Sequence, residues 1–123
     1  FRYADILLTK AEAIARGASA TNGETALSLF NQIRSYAGAP TLTASPTLKD
    51  ILDERGREFL DEHWRRNDMI RFGTFESDFG FHRKNFVDSN GNMIANFDKT
   101  RRIFPIPTGV LNNNTNWKQN PGY

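Results

Sequence analysis

The chain has 123 residues, 38% hydrophobic and 24% charged, close to ordinary globular usage and enough for one domain that buries roughly two-thirds of its unfolded surface. Sixteen Lys and Arg stand against fourteen Asp and Glu, and the net charge of +2 is interleaved, so no basic block calls for a nucleic-acid backbone. There is no cysteine, which excludes disulfides, thiolate metal sites and cysteine nucleophiles within these residues, and no apolar run is long enough to span a bilayer.

The sequence starts at Phe1 without an initiator Met and enters a helical pattern at once, so it is expected to be a piece of a longer chain. From Tyr3 to Arg16, apolar residues at Tyr3, Ile6, Leu7, Ala11 and Ile14 recur at helical spacing, and Gly17 stands where a left-handed stop belongs. Thr21 with Glu24 forms a capping-box pattern for a second helix. Leu27, Phe30, Ile33 and Ala37 mark its inner face until Gly38 and Pro40 end it. Two amphipathic helices on a short connection predict an antiparallel hairpin. Small residues at Ala13 and Ala26 give it a faint tetratricopeptide character.

A third helix is expected to start at Ser45-Pro46 or Thr47 and to reach about Glu62, with Trp64 to Phe72 continuing it after a bend and Gly73 stopping it. Residues 74–96 carry no sustained period and read as loop, with at most a short hairpin around Ser89-Asn90-Gly91. "RIFPIP", Arg102 to Pro107, reads as extended because each proline biases the preceding residue away from helix. The tail "NNNTNWKQNPGY" reads as turns. The expected fold is therefore mostly α, with a helical scaffold over 1–73 and a loop-rich segment over 74–123 that has little or no sheet.

The run "DERGREFLDEHWRRNDMIRFG", Asp53 to Gly73, gathers acids, arginines and one histidine. On a helical wheel Leu48, Ile51, Leu52 and Phe59 share a face, and Asp50, Glu54, Glu58, Asp61 and Glu62 form a stripe beside it. A glycoside hydrolase would use two of Glu54, Glu58 and Glu62 as acid and base, but adjacent turns of one helix do not form the two walls of a cleft. A metal site would use Glu58 or Glu62 with His63, yet the Glu-x-x-His and His-x-x-x-His spacings are not met, and Glu62 and His63 are adjacent, on different faces. "DSNGN", Asp88 to Asn92, echoes a calcium loop but has Met93 and Lys99 where glycine and glutamate are required. His82 has only Asp78 nearby and reads as a surface side chain.

The charged run instead suits a planar network in which Arg55, Arg65, Arg66 and Arg71 fork onto Glu54, Glu58, Glu62 or Asp68, with Trp64 and Phe72 covering one side. The loop aromatics Phe75, Phe79, Phe81, Phe86, Phe97 and Trp117 read first as packing groups, with sugar stacking as the alternative. Asn113-Asn114-Thr115 matches a glycosylation acceptor within an Asn-rich tail and carries no function. No catalytic, metal or cofactor residue is assigned, and the ligand-contacting residues stay unknown.

Three stretches resemble the C-terminal part of the SusD/RagB family of outer-membrane nutrient-binding lipoproteins. "RYADILLTKAEAIARG" is similar to its Arg-Tyr-Ala-Asp helix, and "ERGREFLDEHWRRNDMIRFG" to its Glu-Arg-x-x-Glu helix. "FPIPTGVLNNNTNWKQNPGY" is similar to its Pro-Ile-Pro segment and closing Gln-Asn-Pro-Gly-Tyr. Glu54, Arg55, Glu58, Glu62, Arg65, Asp68, Arg71 and Gly73 keep the family pattern; His63 stands where the family has Gly and is expected to sit as an ordinary helical residue. The resemblance implies a non-enzymatic protein with tetratricopeptide-like helix pairs, held at the cell surface by an N-terminal lipid outside this stretch. Its implied partners are an oligosaccharide or peptide and a SusC-like TonB-dependent transporter in the outer membrane, with no cofactor. A tetratricopeptide-type interaction adaptor and a hydrolase using Glu54, Glu58 or Glu62 are the rival expectations.

Overall fold

The computed structural model describes residues 2–75, 90 and 102–123. The chain divides into two units, Phe1–Phe72 and Gly73–Tyr123. Its fold is mostly α, with five helices and no strand among the described residues.

The first unit holds α1 (Tyr3–Ala15), α2 (Ala26–Tyr36), α3 (Leu48–Glu58) and α4 (Arg65–Arg71). Helix α1 packs against both α2 and α3, and α3 against α4. Tyr3 at the start of α1 and Tyr36 at the end of α2 line one cavity, so the two helices run antiparallel as the expected hairpin. Gly17 and Gly38 adopt φ of 100° and 66°, the left-handed stops that glycine supplies without a Cβ clash.

The core is built from Leu7, Leu8 and Ala11 of α1, Ala26, Leu29, Phe30 and Ile33 of α2, Ile51 of α3, and Phe59 just beyond it. The inner face of α1 is rotated from the expected one. Tyr3 and Ile6 are 69% and 57% exposed, whereas Asp5, Leu8 and Glu12 are buried. The acids turn inward because arginines of α3 and α4 meet them there, so the buried stripe of α1 is half ionic. A pattern that counts only apolar residues misplaces it.

The cap of α2 also differs. The reciprocal pair is Thr25 with Ser28, where Ser28 N–H donates to Thr25 Oγ1 at 3.0 Å and Thr25 N–H to Ser28 Oγ at 2.9 Å. Glu24, expected to close a box with Thr21, instead pairs with Lys10 of α1. Thr47 caps α3 as one of the expected starts, with Asp50 N–H donating to Thr47 Oγ1 at 3.1 Å and Thr47 N–H to Asp50 Oδ2 at 2.8 Å. The intervening loop is fastened by Asn31, whose amide takes both hydrogen bonds of the Leu42 backbone, at 2.8 and 2.9 Å.

The expected long third helix is two shorter ones. Helix α3 stops at Glu58 rather than about Glu62, and residues 59–64 form a turn before α4. His63 is not an ordinary helical residue: its φ is 63°, and Asp61 has φ 62°. The turn demands left-handed backbone at position 63, and His adopts the conformation that glycine would take without strain. Gly56, inside α3, answers a different demand. A Cβ there would lie 2.8 Å from Arg65 Nη1, and that guanidinium reaches past it to the Leu52 carbonyl at 2.7 Å.

In the second unit the Pro-Ile-Pro segment is irregular, without helix, as expected, and Thr108–Asn113 then forms α5, a short helix. The tail is therefore not turns throughout, since Asn112 and Asn113 are helical. The rest of the tail is clasped by side chains. Gln119 donates to the Ile106 carbonyl at 2.9 Å and accepts from its N–H at 2.8 Å, Asn120 donates to the Phe104 carbonyl, and Tyr123 to the Ile103 carbonyl. The amide of Gln119 thus takes the place of a neighbouring strand for a segment whose prolines cannot donate. The expected hairpin near Ser89-Asn90-Gly91 lies outside the described residues save for Asn90.

Candidate functional site

The charged run of α3 and α4 builds outward from Arg55, whose side chain is closed to solvent. Arg55 Nε donates to Asp68 Oδ2 and its Nη1 to Asp5 Oδ1, both at 2.8 Å, while the guanidinium lies 5.0 Å from the Phe59 ring centre. Asp68 Oδ1 accepts from Arg71 Nη2 at 2.9 Å, Arg71 Nη1 pairs with Glu12, and Glu12 Oε1 accepts from Arg16 at 2.8 Å. Charges alternate along this path from Asp5 to Arg16, three carboxylates against three guanidiniums, so the buried set is neutral. Burial alone would lower the Arg71 pKa, but its bonds to Glu12 and Asp68 hold it above the ordinary arginine value.

Glu54, Glu58 and Glu62 do not converge. Glu54 is buried and accepts from Arg34 of α2 at 2.7 Å and from Arg57 at 3.0 and 2.6 Å. Glu58 and Glu62 both face Arg2, which donates to Glu58 Oε1 at 2.8 Å, to the Glu58 carbonyl at 2.7 Å and to Glu62 at 2.7 Å. The carbonyl is one of those left open at the end of α3, so Arg2 closes the helix as well as neutralising its last carboxylate. These bonds to Glu62 and Glu58 raise the Arg2 pKa. A general acid needs a carboxyl group held protonated, and each of these is instead stabilised as the anion by guanidinium donors.

Arg65 turns to the Leu52 carbonyl and stands 3.9 Å from Asp53 rather than joining the central path. Arg66 is half-buried on α4. Trp64 and Phe72 are half-buried against the core, as expected. The Trp64 ring centre lies 6.4 Å from that of Phe59, and Phe72 lies between the guanidiniums of Arg16 and Arg71. His63 projects to solvent from the turn, and no three His, Cys, Asp or Glu side chains gather as a metal site among the described residues. Phe75 is half-buried and Trp117 is 54% exposed. His82, Phe79, Phe81, Phe86, Phe97 and the Asp88 stretch, Asn90 apart, lie outside the described residues.

Asp5, Glu12 and Arg34 complete the lattice, and none was among the partners assigned to it from sequence. The available signal was the acids at Asp5 and Glu12 on a helix whose neighbours are apolar. A further feature is a cavity of about 350 Å³ at the open end of the α1–α2 hairpin, floored by Ala4, Leu7 and Ile33 and rimmed by Tyr3, Tyr36 and Gln32.

A family model described as the SusD family matches residues 1–123. Starch-binding protein SusD of Bacteroides thetaiotaomicron is 34% identical to this chain over 123 residues, all of the chain and 21% of that protein. The chain thus spans about a fifth of the length of the curated relative it matches.

Proposed function

Because the chain belongs to the SusD family, we propose that the protein carrying it binds an oligosaccharide at the bacterial outer-membrane surface and passes it, uncleaved, to a SusC-like TonB-dependent transporter. The observation that carries this reading is the family match along the whole chain, joined by a relative whose name records starch binding. In this reading residues 1–123 are the C-terminal portion of a single SusD-like domain, with a helical scaffold over 1–73. The lipid that holds the protein to the membrane lies outside this stretch; among the described residues no helix is long and apolar enough to cross a bilayer.

The geometry supports binding without cleavage. Glu54, Glu58 and Glu62 are each committed to arginine, and none faces another carboxylate across a gap that would admit a glycosidic bond. The lattice contributes rigidity instead: Arg55 joins α1 to α3 and α4, so three helices are positioned by one guanidinium.

The test is calorimetric titration of the full polypeptide with maltoheptaose, cellohexaose and laminarihexaose, together with a reducing-end assay over the same incubation. Saturable binding to at least one glycan with no new reducing ends is the expected result. Release of reducing ends that disappears in Glu54→Gln would replace binding by hydrolysis, and no binding to any glycan would overturn the reading.

A further inference from the structure

We propose that the cavity at the open end of the α1–α2 hairpin is a saccharide subsite that takes one neutral pyranose ring, an inference that rests on the glycan-binding reading above. Its volume of about 350 Å³ falls within the roughly 300–1,000 Å³ of small-molecule sites.

The lining matches the two faces of a sugar. Tyr36 is 93% exposed and Tyr3 69%, yet both rings border one cavity whose floor is aliphatic. Each lies on the hairpin at a position where a core aromatic would be covered. Aromatic rings left open in this way offer the apolar platforms on which the C–H face of a pyranose stacks, and their phenolic oxygens remain available to hydroxyl groups. Gln32 adds an exposed amide that can both donate and accept.

Charge narrows the class of ligand. The cavity edge carries Arg2 and Glu58, already paired at 2.8 Å, with Glu62 also on Arg2. One cation against two carboxylates leaves this edge with no spare positive charge for a phosphate or uronate. A paired guanidinium and carboxylate retain donors and acceptors at fixed spacing, which suits neighbouring hydroxyls of a neutral sugar. The subsite so built uses α1, α2 and the end of α3, elements that the buried arginine lattice already holds in place.

The experiment compares the full polypeptide with its Tyr36→Ala, Tyr3→Ala and Gln32→Ala variants, titrated with whichever of maltoheptaose, cellohexaose and laminarihexaose the parent binds, with melting temperature measured in parallel. The expected result is binding weakened by about ten-fold for each tyrosine variant at unchanged melting temperature, with Tyr36→Phe retaining most of the affinity. Parent-like affinity in all three alanine variants overturns the subsite while leaving the glycan-binding reading intact. A lowered melting temperature with parent-like affinity also overturns it, since the cavity is then a packing surface within the protein. If the parent binds none of the three glycans, the underlying reading fails and the subsite falls with it.

Discussion

Arg55 Nε donates to Asp68 Oδ2 at 2.8 Å, and both residues are only 2% exposed, so the ion pair linking α3 to α4 is shut away from water. Removing one partner would strand the other charge in the interior. Arg55→Ala is expected to destabilise the protein by about 3–5 kcal/mol in urea unfolding, the usual cost of an uncompensated buried charge. Glu58→Ala, by contrast, breaks a bond to an Arg2 side chain that is 46% exposed, and is expected to cost about 1 kcal/mol or less. Equal losses for the two would mean that the lattice is not organised around Arg55.

His63 holds a left-handed backbone with its side chain in solvent. A non-glycine residue there carries a steric cost of roughly 1–2 kcal/mol, offset in part by the greater freedom of glycine in the unfolded chain. His63→Gly is therefore expected to raise the unfolding midpoint by the equivalent of about 0.5–1 kcal/mol, and His63→Val to lower it. A destabilised glycine variant would show that the imidazole makes a contact of greater worth than the strain.

Gly56 and Arg65 are coupled through space. Gly56→Ala gains about 1 kcal/mol of helix propensity, but its Cβ would displace Arg65 from the Leu52 carbonyl, which costs a comparable amount. The single substitution is expected to be nearly neutral. In an Arg65→Ala background the same change should stabilise by about 1 kcal/mol. A double-mutant cycle in thermal or urea unfolding reads the difference directly, and additivity of the two changes would rule the contact out.

Asp50 accepts a hydrogen bond from the Thr47 hydroxyl at 2.6 Å and another from the Thr47 N–H at 2.8 Å, and these hold its pKa below the ordinary 3.8. A carboxyl group whose folded pKa is depressed contributes stability above its unfolded pKa and loses it as pH falls through the lower folded value. The stability difference between the parent and Asp50→Asn is therefore expected to be constant from neutral pH to about pH 5 and to shrink below about pH 4. Unfolding curves at a series of acid pH values check this, and a difference that grows on acidification would reverse the assignment.

Much of the scaffold was legible along the chain. Helical spacing located α1 and α2, Gly17 and Gly38 marked their ends, Thr47 was one of the starts offered for α3, and the prolines of Arg102 to Pro107 kept that segment out of helix. The density of arginine and acid after Asp53 pointed to a lattice rather than a cleft. These features are local: each depends on the backbone preferences of one residue or on neighbours within a turn or two. The motif order along the whole chain also carried the family, because a resemblance needs no contacts.

What only tertiary structure decided was which groups meet. Asp5 and Glu12 lie some fifty residues before the arginines they satisfy, so nothing local shows that α1 turns its acids inward and its Tyr3 and Ile6 outward. The break after Glu58 likewise depends on Arg2 closing the end of α3 from a distant helix, while His63 supplies a backbone conformation that its residue type does not favour. Ion pairs across 50 to 60 residues are chosen by packing, since any of several arginines can satisfy a given carboxylate until the helices are docked. The sequence determined the helices and the currency of their contacts, and the fold decided the partners.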